Sequence, residues 1–283
     1  MAYGRFNRQG HPTPDGVAAI LRHADKIGLG TIDTAALYGA SEAVLGQALP
    51  RDHGFRIVTK TPRFGAARIG AKQAAALRES FQSSRAKLRQ ERLYGLLAHD
   101  SGDLLAEGGA YLLDAMQDLK RRGEVEKIGA SVYTVRQIEA LLELGGLDLI
   151  QAPMNVFDQR LIDSDVLREI AARGVELHLR SAFLQGLLLA NPATLPPYFA
   201  AARPALEAFQ QAARKAGRKP VQAALAFLLS HPEADTVLIG VDSLAQLKEA
   251  TCGPLDPLDL DYRAFRVTDE RILDPSTWPA EVS

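Results

Sequence analysis

The chain has 283 residues, enough for two average domains or one large α/β barrel, and its 47% hydrophobic and 24% charged residues exclude a disordered chain. Lys and Arg number 33 against 34 Asp and Glu, a formal net charge of -1, so neither nucleic acid nor a membrane is an expected partner. The single cysteine excludes an internal disulfide and the amino terminus has no hydrophobic signal-peptide core, so we expect a cytoplasmic location.

Amphipathic stretches alternate with short apolar runs along the chain. Thr13 before Pro14 predicts the start of a helix that ends at Gly28 or Gly30. The run LGTIDTA is typical of a strand, and Ser41 is predicted to cap a second helix. Further strands are predicted at RIVTK, LYGLLAH, VEKIGAS, LDLIQAP, VELHLRSA and DTVLIG, and further helices near 72–88, 107–122, 135–142, 161–173, 204–216, 220–230 and 243–250.

This alternation predicts a parallel sheet, because parallel strands need crossover connections and these are usually helical. A doubly wound dinucleotide fold would need a Gly-x-Gly-x-x-Gly turn after its first strand, and Gly28-Leu29-Gly30 lacks the third glycine and precedes a strand. We therefore expect an α/β protein with a (β/α)8 TIM-type barrel, as a single domain over residues 1–283 with a tail from about residue 252.

The start of the chain departs from that barrel. Residues 1–14 do not look like a strand, so the first barrel strand is predicted to be missing or atypical, in a shortened or unusual barrel. A closed barrel has no sheet edge, whereas seven strands leave two. We therefore expect residues 1–10, the C-terminal tail or a neighbouring molecule to fill the eighth position.

Four polar residues fall at or just beyond the ends of consecutive predicted strands: Asp33, Tyr38, Lys60 and His99. In a barrel these ends converge on the face where active sites are built. Each residue alone has an ordinary explanation, such as a loop cap for Asp33 or a solvated strand end for Lys60. Together they predict a catalytic site. The remaining histidines have no metal-ligand spacing, so no metal site is expected.

Two further segments could line a substrate pocket. The loop Gly186 to Pro204 is rich in leucine, proline and aromatic residues, and it could line an apolar pocket or pack down on the helices. Trp278 in the tail is a weaker candidate for the same pocket. The sequence leaves both alternatives open.

The segments around the four polar residues resemble the aldo-keto reductase superfamily. IDTAALYGASEAVLGQAL (residues 32–49) is similar to the family signature Asp-Thr-Ala-x-x-Tyr-Gly-x-Ser-Glu-x-x-Leu-Gly. RIVTK supplies the family's lysine, LLAHD its histidine, and GEVEKIGASVY resembles its Gly-x-x-Arg/Lys-x-Ile-Gly-x-Ser segment. The resemblance runs from about Gly28 to Ala250 and implies a (β/α)8 barrel that uses a nicotinamide cofactor without a Rossmann fold.

The resemblance implies a role for each of the four residues. Tyr38 would donate a proton to a carbonyl oxygen, and a phenol needs a cationic neighbour to do so near neutral pH. Lys60 would be that cation, Asp33 would orient Lys60, and His99 would position the carbonyl oxygen. The expected function is NAD(P)H-dependent reduction of a small aldehyde, ketone or sugar. The alternative is a barrel that binds a nicotinamide nucleotide as a regulatory or sensor subunit with little or no turnover.

The resemblance also implies which residues bind the cofactor, namely Ser131, Gln151, Arg180, Ser181, Gly186, Gly240, Gln246 and Glu249. Ser131 and Gln151 would meet the nicotinamide carboxamide, although strand-end polar groups could simply bond neighbouring backbone.

Several positions depart from the family pattern. Val132 stands where many members have asparagine, and Arg180 where many have a stacking aromatic. Gly240, Val241 and Gln246 replace the Lys-Ser and Arg that grip a 2′-phosphate, and Asp242 lies in the same turn. We expect NADP(H), and possibly NAD(H), with weak discrimination between them.

Overall fold

A computed structural model describes residues 12–50 and 52–279. Its strands are β1 Thr31–Asp33, β2 Arg56–Lys60, β3 Leu93–Ala98, β4 Val125–Ser131, β5 Leu149–Pro153, β6 Glu176–Arg180 and β7 Thr236–Val237. Its helices are α1 Pro14–Lys26, α2 Ser41–Ala48, α3 Ala71–Leu88, α4 Ser101–Leu105, α5 Ala110–Arg121, α6 Val135–Leu144, α7 Val166–Ala172, α8 Arg203–Lys215, α9 Pro220–Leu229, α10 Leu244–Thr251 and α11 Glu270–Leu273. Short 3-10 helices lie at Leu184–Leu189, Pro192–Thr194, Pro197–Ala202, Tyr262–Phe265 and Pro275–Thr277.

The strands form one sheet in the order of the chain, from β1 to β7. Asp33 pairs with Val58, Lys60 with Leu97, and Ser131 with Gln151, all in parallel ladders. Parallel strands that alternate with helices in chain order are the pattern of the (β/α)8 fold, so the predicted fold class is confirmed. Within the described residues the sheet has seven strands. The segment before α1, on which the prediction of a missing or atypical first strand falls, lies largely outside the described residues. Residues 1–10, one candidate to fill the eighth position, lie outside the described residues.

The predicted elements agree with the observed ones in order, with four corrections. The helix predicted near 161–173 begins only at Val166, as α7. Ser41 does not cap α2: it is the first helical residue, and its hydroxyl shares a 3.0 Å hydrogen bond with Thr34 instead. The helix predicted over 107–122 is preceded by the separate short helix α4 and begins only at Ala110. The strand predicted at DTVLIG has only two residues, β7. By contrast, Thr13 caps α1 as predicted, because its hydroxyl accepts from the Gly16 N–H.

The chain folds into two compact units. The first unit comprises residues 12–152 and 168–178, and the second comprises residues 153–167 and 179–279. Val58, Leu97 and Leu149 form a fully buried cluster in the first unit, with Tyr94 packed against it. A single domain over residues 1–283 with a tail from about residue 252 stays a prediction. None of the helices within residues 12–50 and 52–279 has the length and apolar character of a membrane span.

The two candidate pocket segments pack inside the second unit. Leu187, Leu188 and Phe199 are completely buried, so the loop after Gly186 packs down rather than presenting these side chains in an open pocket. Trp278 is also buried: its ring meets Phe199 edge-on at 4.7 Å, and its indole N–H donates to the Ile272 carbonyl. A buried indole needs its one donor satisfied, and Trp278 finds it within the tail. The role of Trp278 as a pocket residue stays a prediction.

Candidate active site

The first unit contains a buried ion pair at the ends of β1 and β2. The Lys60 ammonium donates to both Asp33 carboxylate oxygens, at 2.7 and 2.6 Å, and to the Thr34 carbonyl at 2.9 Å. The exposed fractions of the two side chains are 1% for Lys60 and 13% for Asp33. Because all three ammonium donors are used, the position of the charge is fixed.

Tyr38 and His99 lie beside this ion pair. The Lys60 Nζ lies 5.3 Å from the centre of the Tyr38 ring, within the range of a cation–π contact. The rings of Tyr38 and His99 meet edge-on, with centroids 5.7 Å apart. His99 follows β3 directly and is 5% exposed, whereas Tyr38 is half-buried. A phenol that solvent can reach, with a fixed cation and an imidazole beside it, can exchange a proton with a bound molecule.

A short loop between β1 and α2 holds Tyr38 in this position. The Tyr38 N–H donates to the Ala35 carbonyl at 3.0 Å, and the Ser41 N–H donates to the Tyr38 carbonyl at 3.1 Å. Gly39 has φ +59°, a left-handed conformation that favours glycine. On α2, Glu42 is buried and accepts from the Thr59 hydroxyl at 2.7 Å, which joins this helix to β2.

The predicted carboxamide contacts, Ser131 and Gln151, are paired neighbours on β4 and β5 and are both buried. The Gln151 amide donates to Asp33 Oδ1 at 2.8 Å. The alternative in which Gln151 bonds only neighbouring backbone is therefore wrong. The side chain instead joins the ion pair at Asp33, a contact between residues 118 positions apart that no local sequence pattern signals.

A second carboxylate, which the sequence analysis missed, joins two loops beside the site. Asp103 is 3% exposed and accepts from the backbone N–H groups of Phe64 and Gly65, at 3.0 and 2.9 Å. Phe64 follows β2, and Asp103 lies on α4 just after His99. The two bonds therefore fix the loop that follows Lys60 against the segment that follows His99.

A further polar cluster, also missed, lies on β3, β4 and β6 of the same unit. The Glu176 carboxylate accepts from the Tyr94 hydroxyl at 2.6 Å and pairs with the Lys127 ammonium. Its other oxygen is bonded to His178 Nε2 at 2.6 Å. Burial alone would raise the pKa of Glu176, but the hydrogen bonds from Lys127, Tyr94 and His178 outweigh it and lower that pKa to about 2. Glu176 is therefore an ionised carboxylate at neutral pH.

The second unit holds the remaining predicted cofactor residues. Arg180 ends β6, and its guanidinium donates to the Ser181 hydroxyl at 3.1 Å. Ser181, Leu184 and Gln185 have φ between +46 and +61°, and Gly186 has φ +91°. Left-handed conformations cost non-glycine residues about 1–2 kcal/mol each, so the surrounding structure must hold this strained loop in place.

The last predicted cofactor residues lie around the start of α10. Ser243 caps α10 by accepting from the Gln246 N–H, and the Gln246 side chain accepts from the Asp242 N–H at 2.7 Å. Glu249 pairs with Lys219, which begins the turn into α9, at 2.9 Å. No local sequence pattern signals this contact, because Lys219 lies 30 positions earlier in the chain. Gly240 lies in the short loop after β7. Within the described residues no group of three His, Cys, Asp or Glu side chains is placed to hold a metal ion.

Comparison with known proteins agrees with this geometry. A model of the Aldo/keto reductase family matches residues 1–252. L-galactose dehydrogenase of Arabidopsis thaliana is 28% identical over 291 residues, 95% of this chain and 88% of that protein. NADH-specific methylglyoxal reductase of Escherichia coli (strain K12) is 28% identical over 182 residues, 58% of this chain and 56% of that protein.

Solved structures are similar in fold. The structure of a glycerol dehydrogenase from Gluconobacter oxydans has a TM-score of 0.70 at 23% identity, and the match covers 92% of this chain and 85% of that one. An aldo-keto reductase from Bacillus halodurans, solved in apo and holo forms, has a TM-score of 0.71 at 20% identity, over 96% of this chain and 91% of that one. At these sequence identities the similarity shows a shared fold and no more.

Proposed function

Because the chain belongs to the aldo/keto reductase family, we propose that it is an NAD(P)H-dependent oxidoreductase that reduces the carbonyl group of a small aldehyde, ketone or sugar. One observation carries the proposal: the Lys60 ammonium is bound by both oxygens of Asp33 and lies over the ring of Tyr38, beside His99. This arrangement supports proton transfer at a carbonyl oxygen, because a cation beside a phenol stabilises the phenolate that proton donation leaves.

Each of these side chains has one role in the proposed reaction. Tyr38 donates the proton to the carbonyl oxygen, and Lys60 stabilises the resulting phenolate. Asp33 fixes the ammonium by its two short bonds, and Gln151 fixes Asp33. His99 is proposed to bond the carbonyl oxygen and orient it toward Tyr38. A nicotinamide cofactor, when bound, supplies the hydride.

The residues proposed to hold that cofactor fit its chemistry. Ser131 and Gln151 offer buried polar groups, which suit an amide that both donates and accepts. Arg180 and Ser181 begin the loop that carries the left-handed residues and Gly186, and such strain is typical of ligand-binding segments. Gly240, Gln246 and Glu249 are proposed to lie at the adenosine end.

The protein is proposed to discriminate only weakly between NADPH and NADH. The carboxylates of Asp242 and Glu249 disfavour a 2′-phosphate, because it is also negatively charged. Lys219 is a nearby cation, but it is already paired with Glu249. The Escherichia coli relative is named for NADH, which supports use of NADH here as well. We propose that both cofactors support turnover.

The names of the relatives support a small, oxygen-rich substrate. The two curated relatives are named for L-galactose and methylglyoxal, which are a sugar and a dicarbonyl. The proposed substrate class is therefore a short hydroxylated aldehyde or ketone, or the corresponding alcohol in the reverse direction.

The test is cofactor-dependent turnover of a panel of aldehydes, ketones and sugars, measured with NADH and with NADPH. We expect at least one short hydroxylated carbonyl to be reduced, with Tyr38→Phe lowering kcat by about 10²- to 10⁴-fold. Tyr111→Phe is the matched control, since Tyr111 is 53% exposed on α5 and has no role in the mechanism. Tight cofactor binding without turnover of any carbonyl or alcohol would refute the enzyme and favour a nucleotide-binding sensor.

A further inference from the structure

His178 is a fully buried histidine that has no part in the mechanism above. It lies on β6, and its Nε2 is bonded to Glu176 Oε1 at 2.6 Å. The inside of a barrel is usually filled by bulky aliphatic side chains. A buried imidazole bonded to an ionised carboxylate is costly to desolvate.

The strand register brings His178 next to Gln151. The Glu176 N–H of β6 donates to the Asp148 carbonyl just before β5, at 2.8 Å. In a parallel ladder this bond aligns Glu176 with Leu149, so two residues further along His178 is aligned with Gln151. Aligned residues on parallel strands point to the same face of the sheet. Because the Gln151 amide bonds Asp33, His178 is one side chain away from the Asp33–Lys60 ion pair.

The bond to Glu176 decides which imidazole nitrogen carries the proton. An ionised carboxylate accepts hydrogen bonds, so neutral His178 must donate from Nε2. Its Nδ1 is then an acceptor, and this atom is buried without a hydrogen-bond partner among the described residues. If the ring took up a second proton, Nδ1 would become a buried donor.

The charges around the imidazole come from several strands. Asp33 of β1 and Glu176 of β6 favour the protonated ring, and Arg56 of β2 disfavours it. Tyr94 of β3 and Lys127 of β4 are both bonded to Glu176, and Lys60 of β2 neutralises Asp33. Burial has the largest effect and lowers the pKa of His178, so the ring is neutral at neutral pH.

We propose that His178 is a positioning residue of the Asp33–Lys60 ion pair. When its ring is neutral, His178 does not compete with Lys60 for the Asp33 carboxylate, and when its ring is protonated, it does. Protonation from solvent turns Nδ1 into a donor beside the Gln151–Asp33 contact. The carboxylate then shares its oxygens among three donors, and its hold on the Lys60 ammonium weakens. This inference rests on the proposed function, because it assigns His178 a part in the acid limit of that activity.

Two measurements test the proposal. The first is nuclear magnetic resonance of the histidine-labelled protein from about pH 4 to 8, with the His178 signal assigned from its loss in His178→Gln. We expect an Nε2–H tautomer at neutral pH. We also expect Asp33→Asn to move the titration midpoint of the ring to lower pH, because it removes a negative charge that favours protonation. A midpoint unmoved by Asp33→Asn overturns the proposal without any need for turnover.

The second measurement is the pH profile of kcat/KM. Glutamine at position 178 can still donate to Glu176 but cannot titrate, so in His178→Gln we expect the acid limb to shift by at least about one pH unit to lower pH. His231→Gln is the control, since burial also lowers the pKa of His231 but this residue belongs to the second unit. An acid limb unchanged in His178→Gln overturns the proposal. A wild-type protein with no turnover at any pH refutes the proposed function, while the resonance experiment still decides the coupling of His178 to Asp33.

Discussion

Replacing Lys60 by methionine removes the charge at the centre of the candidate site while nearly preserving side-chain volume. Lys60 makes three hydrogen bonds with a 1% exposed side chain, and the substitution removes all three. Breaking a buried ion pair from one side costs about 3–5 kcal/mol, because the other charge stays buried. Asp33 is 13% exposed and keeps the Gln151 amide, so we expect the lower end of this range, about 3 kcal/mol.

A double substitution separates the effect on stability from the effect on chemistry. Adding Asp33→Asn to Lys60→Met removes the stranded carboxylate, so the double variant should be more stable than Lys60→Met alone. The coupling expected for residues in direct contact is about 0.5–3 kcal/mol. Activity should not recover, because the cation that stabilises the phenolate of Tyr38 is still missing. Turnover of both variants should be lower by about 10²-fold or more.

The assay is urea unfolding at neutral pH, followed by tryptophan fluorescence, together with turnover of the best substrate. Lys72→Met is the matched control, since Lys72 is an exposed residue of α3 and should leave both quantities within experimental error. A double variant no more stable than Lys60→Met would mean that Asp33 is not stranded by the loss of Lys60. A fully active Lys60→Met would remove the lysine from the mechanism.

Tyr38→Phe should lower kcat by about 10²- to 10⁴-fold while cofactor affinity, measured by fluorescence titration, stays nearly unchanged. Glu176 has a folded-state pKa of about 2, so its stabilisation is present above its ordinary value of 4.5 and is lost as the pH falls toward 2. That pKa shift corresponds to about 3 kcal/mol. Between pH 6 and pH 3 the free energy of unfolding, measured with urea, should therefore fall more steeply for the wild type than for Glu176→Gln. The kcat/KM values for NADPH and NADH should differ by no more than about a hundredfold, or about 2.8 kcal/mol. Asp242→Arg should shift their ratio toward NADPH, because arginine binds a 2′-phosphate. A preference for NADPH above a thousandfold would contradict this prediction and indicate cationic phosphate-binding residues elsewhere.

The sequence predicted the features that depend on local patterns. Asp33 and Lys60 each end a short β-branched strand, and His99 follows one directly, so their meeting at one end of a parallel sheet follows from the fold class. The same periodicity gave the order of strands and helices. The position of Tyr38 was also predictable, since a short loop ties it to the end of β1.

The contacts that the sequence did not predict join residues far apart in the chain. Gln151 reaches Asp33 across 118 positions, and Glu176 bonds Tyr94 across 82. Such bonds depend on how strands are aligned in the sheet, which no local periodicity encodes. The error at Ser41 has a related cause, because a serine before an apolar helix is a good cap only when its hydroxyl has no better partner. Here the Thr34 hydroxyl is that partner.

The most direct test of the account follows the hydride itself. The protein is incubated with a carbonyl substrate and a reduced nicotinamide cofactor in which both hydrogens of the carbon that donates the hydride are deuterium, and the alcohol product is analysed by nuclear magnetic resonance. We expect one deuterium at the former carbonyl carbon, with a single stereochemistry, in the product of the wild type and of Tyr111→Phe. In Tyr38→Phe the rate of product formation should be lower by at least about a hundredfold. Alcohol without deuterium at that carbon, or an equal rate in Tyr38→Phe, would contradict the proposed mechanism.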